Sequence, residues 1–324
     1  PITVQLIYDE FNSTFIISSI ITITFGVLFF LANIDHNRNL STQQAFLLTS
    51  LSWIGVAIFG SIPFIFSDLN LSLTDAFFES MSGITTTGAT IINNLSDTPK
   101  AILGWRAILQ WLGGIGIIVM AITLMPLMNV GGMLLFKVLN SDSSNEILPS
   151  SKEISIKLIL IYISLTFICG LSYKIFGMSV FDSITHSMTT IATGGFSNYN
   201  DSIGYFNSYK IEVVAILFII LGSIPFISYI KYMSGNKKIF LKDSQITTFV
   251  KLIFISILIL FIYLLFKDGI FSFSNLRSIT FNVVSILTGT GYVTKEFDQW
   301  GSFPLFYFLI LMFIGGCAGS TACG

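Results

Sequence analysis

Seven long apolar runs without Asp, Glu, Lys or Arg constrain this chain more than any other feature. They cover residues 11–34, 39–67, 107–136, 158–173, 213–230, 252–266 and 299–324. A helix crosses the ~30 Å hydrocarbon layer with about 20 apolar residues, and ~17 is the lower limit. The runs 158–173 and 252–266 reach that length only if Lys157, Lys174, Lys251 and Lys267 stretch their stems to the interface. Each run predicts a span, the last one incomplete. Only 10% of residues are charged and 53% are hydrophobic, against ~25% charged in soluble domains. That excludes a soluble globule and predicts an all-α polytopic, multi-pass membrane protein.

Three further segments are too short to span and too apolar for ordinary loops: 75–90, 182–197 and 278–293. Each opens as a helix of about ten residues and closes in Thr and Gly, the length expected of a re-entrant element. Irregular backbone at membrane depth survives only if protein covers it or if it lines water. The segments are also repeats. A shift of 107 places Asp75 on Asp182, Met81 on Met188, Thr86 on Thr193 and Gly88 on Gly195. A shift of 203 places Ser82 on Ser285, Thr85 on Thr288, Thr87 on Thr290 and Gly88 on Gly291. The register selects Gly195, not Gly194, as the counterpart of Gly88. The unit is span, re-entrant helix, Thr/Gly loop, span. The predicted division is 1–38 as a preceding helix region, 39–136 and 137–232 as two units, and 233–324 as a third unit truncated in its last helix.

Loop charge orients the chain. The 35–41, 137–157 and 231–251 loops carry nine Lys or Arg against five acids; the opposite side carries seven against twelve. The first side is predicted to be cytoplasmic, so all three Thr/Gly loops enter from outside. The five Lys of 231–251 suit anionic lipid or a cytoplasmic partner. A net charge of −1 gives no reason to expect a nucleic-acid partner.

A dehydrated cation needs replacement oxygens, and neutral carbonyls supply them without trapping it. Gly permits the dihedrals that align successive carbonyls, and Thr stiffens the loop. One Thr/Gly loop alone reads as a turn; three in register read as filters. The predicted ion-binding residues are Thr86, Thr87, Gly88, Thr193, Gly194, Gly195, Thr290, Gly291 and Tyr292, with potassium at carbonyls near Gly88, Gly195 and Gly291. Two further readings concern ionisable groups near the loops. Glu79 and His186, at one repeat position with Asn282, read as functional groups at membrane depth or as hydrogen-bonding supports behind the loops, with support the expectation. Arg106 reads as the partner of an outer acid or as an interfacial anchor, with the anchor the expectation. Gly113, Gly114 and Gly116 are expected to allow close helix approach. Cys169, Cys317 and Cys323 fit no metal or disulfide spacing, and His36 and His186 are too few for a histidine metal site. With no convergent nucleophiles or acids, no enzyme is predicted.

The last segment has two readings from its residues alone. Gly315 and Gly319 form a GxxxG packing pair, or the Gly-rich stretch breaks the helix. The chain opens at Pro1 without Met and stops at Gly324 inside an apolar run, so it is expected to be a fragment.

Asp75-Ala-Phe-Phe-Glu-Ser with Thr85-Thr86-Thr87-Gly88, Gln110-Trp-Leu-Gly-Gly-Ile-Gly-Ile-Ile118, Thr193-Gly-Gly-Phe-Ser197, Asn282-Val-Val-Ser-Ile286 and Gly315-Gly-Cys-Ala-Gly-Ser-Thr321 resemble the TrkH branch of the Trk/Ktr/HKT superfamily of potassium transporters. The resemblance runs over nearly the whole chain. It implies four units around one central ion pore, the fourth missing here, and a gate built from Gly315, Gly316, Gly319, Ser320, Thr321 and Gly324. It implies potassium uptake, since Gly in the first filter accompanies potassium and Ser sodium, with a sodium or mixed-cation transporter as the alternative. It also implies a homodimer in the inner or plasma membrane, a nucleotide-binding TrkA-like regulatory subunit, contact with membrane lipid, and no cofactor beyond transported K+.

Overall fold

The computed structural model describes residues 1–10, 12–34, 41–123, 151–268, 272–295 and 297–322. Regular structure among these is helical throughout. After a short α1 (Ile2–Ile7), α2 (Thr14–Ala32), α3 (Thr42–Ile65), α5 (Lys100–Thr123), α6 (Ser151–Ile175) and α11 (Ser244–Asp268) are long and apolar enough to cross a membrane. Between them lie α4 (Leu73–Ile84), α7 (Val180–Ile191) and α12 (Phe273–Leu287). At 1.5 Å per residue these reach only about 18–23 Å, short of a bilayer.

The expected run 213–230 is not one helix. It is α8 (Tyr209–Gly222) and α9 (Phe226–Met233), bent by 84°. Pro225 lacks an amide hydrogen and disfavours helical dihedrals at Ile224, which stops α8. The run 299–324 also departs from expectation. Its helix α13 spans only Ser302–Met312, and Gly315 and Gly319 take φ of +75° and +74°. A continuous helix is incompatible with those dihedrals, so a GxxxG helix contact is excluded. The run 107–136 begins earlier than expected, at Lys100; its end lies outside the described residues, as do the 35–40 turn and 137–150. A four-residue α10 (Ile239–Lys242) completes the set.

Each short helix packs on the long helix before it, α4 on α3, α7 on α6 and α12 on α11. Neighbouring sets join through α5 against α7 and α8 against α12. The distribution of polarity is inverted relative to a soluble protein. Phe29, Phe30, Phe167 and Phe254 are exposed, whereas Glu79, Gln110, Asn282 and Thr288 are fully buried. Lipid solvates the apolar surface, and polar side chains must find partners inside.

Candidate ion pathway

The three Thr/Gly loops share one backbone. Positive φ falls at Thr86 and Gly88 (+56°, +79°), Thr193 and Gly195 (+48°, +76°), and Gly289 and Gly291 (+70°, +78°). This is the register of the 107- and 203-residue shifts. Each loop begins where its helix ends, and its amides satisfy the carbonyls that a helix C-terminus leaves open. Thr85, Thr86 and Thr87 N–H donate to Met81, Gly83 and Ser82 O at 2.9, 3.0 and 2.9 Å. Thr288, Gly289 and Thr290 repeat this on Val284, Ile286 and Ser285 O at 3.1, 3.1 and 2.9 Å, and Ala192, Thr193 and Gly194 on Met188, Thr190 and Thr189 O at 3.1, 3.0 and 3.0 Å. Ser72 and Ser179 cap α4 and α7 by accepting from Asp75 and Asp182 N–H, contributing about 1 kcal/mol each.

In a trans peptide the C=O points opposite to the N–H. Because the loop amides face back into their helices, the carbonyls of Thr85–Thr87, Ala192–Thr193 and Thr288–Thr290 face away from them. Among the described residues no hydrogen bond ends on Thr86, Thr87, Thr193, Gly289 or Thr290 O. The threonine hydroxyls hold the loop. Thr85 Oγ1 donates to Met81 O and lies 2.8 Å from Thr87 Oγ1; Thr288 and Thr290 are also 2.8 Å apart.

The loops interlock through their glycines. A Cβ on Gly88 would collide with Gly194 O, and one on Gly195 with Thr290 O. Each glycine is therefore required twice, by its dihedral and by the neighbouring carbonyl that occupies the Cβ position. A Cβ on Gly291 would meet nothing within 4 Å, so that flank is open among the described residues. At two predicted residues the backbone carbonyl already has a protein donor. Gly194 O accepts from Gln110 Nε2 at 2.6 Å. Tyr292 O accepts from Ser285 Oγ at 2.7 Å, and its buried ring turns toward α7.

Behind the loops lies a polar layer. Glu79 and Arg106 form an ion pair at 2.6 Å, with side chains 0% and 1% exposed. Arg106 is thus no interfacial anchor. Glu79 also accepts from Thr90 Oγ1 and Ile91 N–H, fixing the chain after loop 1. Arg106 Nη1 donates to Ser197 O at 3.1 Å and its guanidinium stacks 4.0 Å from the Phe196 ring, fixing the chain after loop 2. At the equivalent position His186 places Nδ1 3.0 Å from Asp182 O and Nε2 3.0 Å from Ser197 Oγ. The carbonyl only accepts, so Nδ1 carries a proton. Asn282 donates to Lys295 O. Gln110 grips loop 2 from both sides, since its Oε1 accepts from Phe196 N–H at 3.0 Å. Close approach makes this reach possible: a Cβ on Gly113 would strike Ile84 O, and one on Gly114 would sit 2.9 Å from Ala192 Cα. Gly116 has no such neighbour, with Trp53 at an ordinary 3.8 Å.

The irregular 313–322 segment packs into the break between α8 and α9. The break frees backbone groups, which must find partners at membrane depth. Cys317 N–H donates to Ser223 O (3.2 Å), Thr321 N–H and Oγ1 to Gly222 O (3.1 and 2.9 Å), and Gly319 O accepts from Phe226 N–H (3.0 Å). Ser320 Oγ donates to Cys317 O, and a Cβ on Gly316 would meet Ala322 Cβ at 2.5 Å. A Cβ on Gly222 would lie 3.0 Å from Ile191 O and 3.5 Å from Thr193 Cγ2, so this junction abuts the base of loop 2. Gly324 lies outside the described residues, as does Cys323. Neither the break nor the roles of Gln110 and Tyr292 were foreseen. Pro225 within an apolar run was the available signal for the first.

Comparison with known proteins places these features in a common context. The TrkH profile, described as cation transport protein, matches residues 12–324. The chain is 40% identical over 287 residues to the Trk system potassium uptake protein TrkI of Halomonas elongata, covering 88% of this chain and 58% of that protein. It is 37% identical to the Trk system potassium uptake protein TrkH of Vibrio parahaemolyticus, covering all of this chain and 68% of that one. The crystal structure of the potassium transporter TrkH from Vibrio parahaemolyticus superposes with a TM-score of 0.87 at 34% identity, over 99% of this chain and 68% of that chain.

Proposed function

The chain belongs to the TrkH family of cation transport proteins, and from that premise we propose that the protein carrying it takes up potassium through a gated, channel-like pore. It is a multi-pass membrane protein of the cell membrane. The observation that carries the proposal is the threefold loop backbone, with the carbonyls of Thr86, Thr87, Thr193, Gly289 and Thr290 free of protein donors among the described residues. Such oxygens can replace a cation's hydration shell. The open flank at Gly291 supports a further loop completing the ring. A homodimer and a nucleotide-binding TrkA-like regulatory subunit are proposed on family membership alone. The full-length protein is expected to restore growth of a potassium-uptake-deficient bacterium at low potassium. Failure to grow or to take up radioactive rubidium, with the protein present in the membrane, would overturn the proposal.

The segment 313–322 serves as the gate in this reading. What supports it is its irregular backbone, its position against the base of loop 2, and its attachment by a few hydrogen bonds that water could replace. Thr321→Val removes the Oγ1 bond to Gly222 O and keeps the shape. It is expected to raise basal rubidium flux about two- to tenfold, the weight of one hydrogen bond. Unchanged flux would mark the segment as packing alone.

A further inference from the structure

We propose that Tyr292 is a positioning residue for ion discrimination, a strut whose hydroxyl fixes the spacing between the second and third loops. The inference rests on the reading of these loops as a filter.

Tyr292 directly follows Gly291, yet its side chain leaves its own unit. The ring is 1% exposed. Its hydroxyl lies 2.5 Å from Thr189 Oγ1, 3.3 Å from Thr190 Oγ1 and 3.3 Å from His186 O, all on α7. Thr189 and Thr190 are the residues whose carbonyls hold loop 2, through Gly194 and Thr193 N–H. The same two residues thus hold loop 2 by their carbonyls and loop 3 by their hydroxyls. Tyr173, from α6, braces Thr190 Oγ1 from behind at 2.8 Å.

Comparison of the three units shows that the contact is specific to this seam. At the position of Thr189 the other units carry Ser82 and Ser285. Each donates inside its own unit, to Ala89 O (2.5 Å) and Tyr292 O (2.7 Å). In unit two the corresponding hydroxyl does not reach its own loop: it lies 3.2 and 3.3 Å from Thr185 and His186 O on its own helix and 2.5 Å from the neighbour's Tyr292 hydroxyl. Tyr292 is therefore held at both ends, by Ser285 at its carbonyl and by Thr189 at its hydroxyl. Where a filter selects by cavity size, loop spacing sets how closely the carbonyls can follow a smaller ion. With the strut in place, loops 2 and 3 cannot close around sodium; without it they can.

The test uses the full-length protein in vesicles of phosphatidylethanolamine and phosphatidylglycerol, with rubidium uptake measured against rising sodium. Tyr292→Phe keeps the ring and deletes the hydroxyl; Thr189→Val deletes its partner. Each is expected to strengthen sodium competition about three- to tenfold, the weight of one buried hydrogen bond. The double variant is expected to shift no further than either single one, and Thr189→Ser to behave as wild type. A purely structural role would lower the unfolding temperature or total uptake and leave the rubidium-to-sodium ratio alone. An unchanged ratio in both single variants, or additive shifts in the double variant, overturns the strut. A wild-type protein that moves no rubidium overturns the transport reading itself, and the strut with it.

Discussion

Gly88→Ser is expected to cut rubidium uptake by about a hundredfold, and the residual flux is expected to lose its preference for potassium over sodium. Two penalties act at one atom. The φ of +79° disfavours any Cβ by roughly 1–2 kcal/mol. The new Cβ also lands on Gly194 O, so loop 1 or loop 2 must move. Together these reach about 3 kcal/mol, and each 1.4 kcal/mol is tenfold. Uptake of radioactive rubidium under sodium competition measures both effects. Wild-type uptake and selectivity in Gly88→Ser would end the filter assignment. Gly291→Ser reads the open flank. If a further loop packs there in the full-length protein, the loss is as deep as at Gly88; if nothing does, only the dihedral penalty remains.

Breaking the Glu79–Arg106 pair is expected to have the second large effect, on folding before transport. Both side chains are buried, and removing one partner of such a pair strands the other at a cost of about 3–5 kcal/mol. Arg106→Ala is therefore expected to fail to accumulate, or to unfold in detergent well below the wild type. Glu79→Gln/Arg106→Met removes both charges and is expected to recover much of that stability. Recovery of transport is expected to lag, because Ser197 O and the Phe196 ring lose the guanidinium that positions them. An Arg106→Ala protein with unchanged unfolding temperature would show that the pair does not hold the two loops.

The membrane class and the three loops were legible because each follows from a local rule. Lipid demands long charge-free runs, and one backbone shape demands Thr and Gly at fixed offsets, so a repeat shows itself. The residues that failed to declare themselves depend on distant partners. Arg106 looked interfacial because its counter-ion stands 27 residues earlier, on another helix. The run 213–230 looked continuous because counting charges is blind to backbone; the groups freed at Gly222, Ser223 and Phe226 are satisfied by residues 317–321, nearly a hundred positions downstream. Tyr292 sat in the correct loop, but nothing local told that its ring turns toward the neighbouring unit.

The interlocked glycines also bear on how such a protein is made. The position vacated by Gly88 is filled by a carbonyl of loop 2, and that vacated by Gly195 by a carbonyl of loop 3. A ribosome delivers these units in that order. Loops 1 and 2 are therefore synthesised before the piece that completes each of them. The first two loops thus each depend, for the carbonyl that fills the glycine's missing side chain, on the unit that follows in the chain.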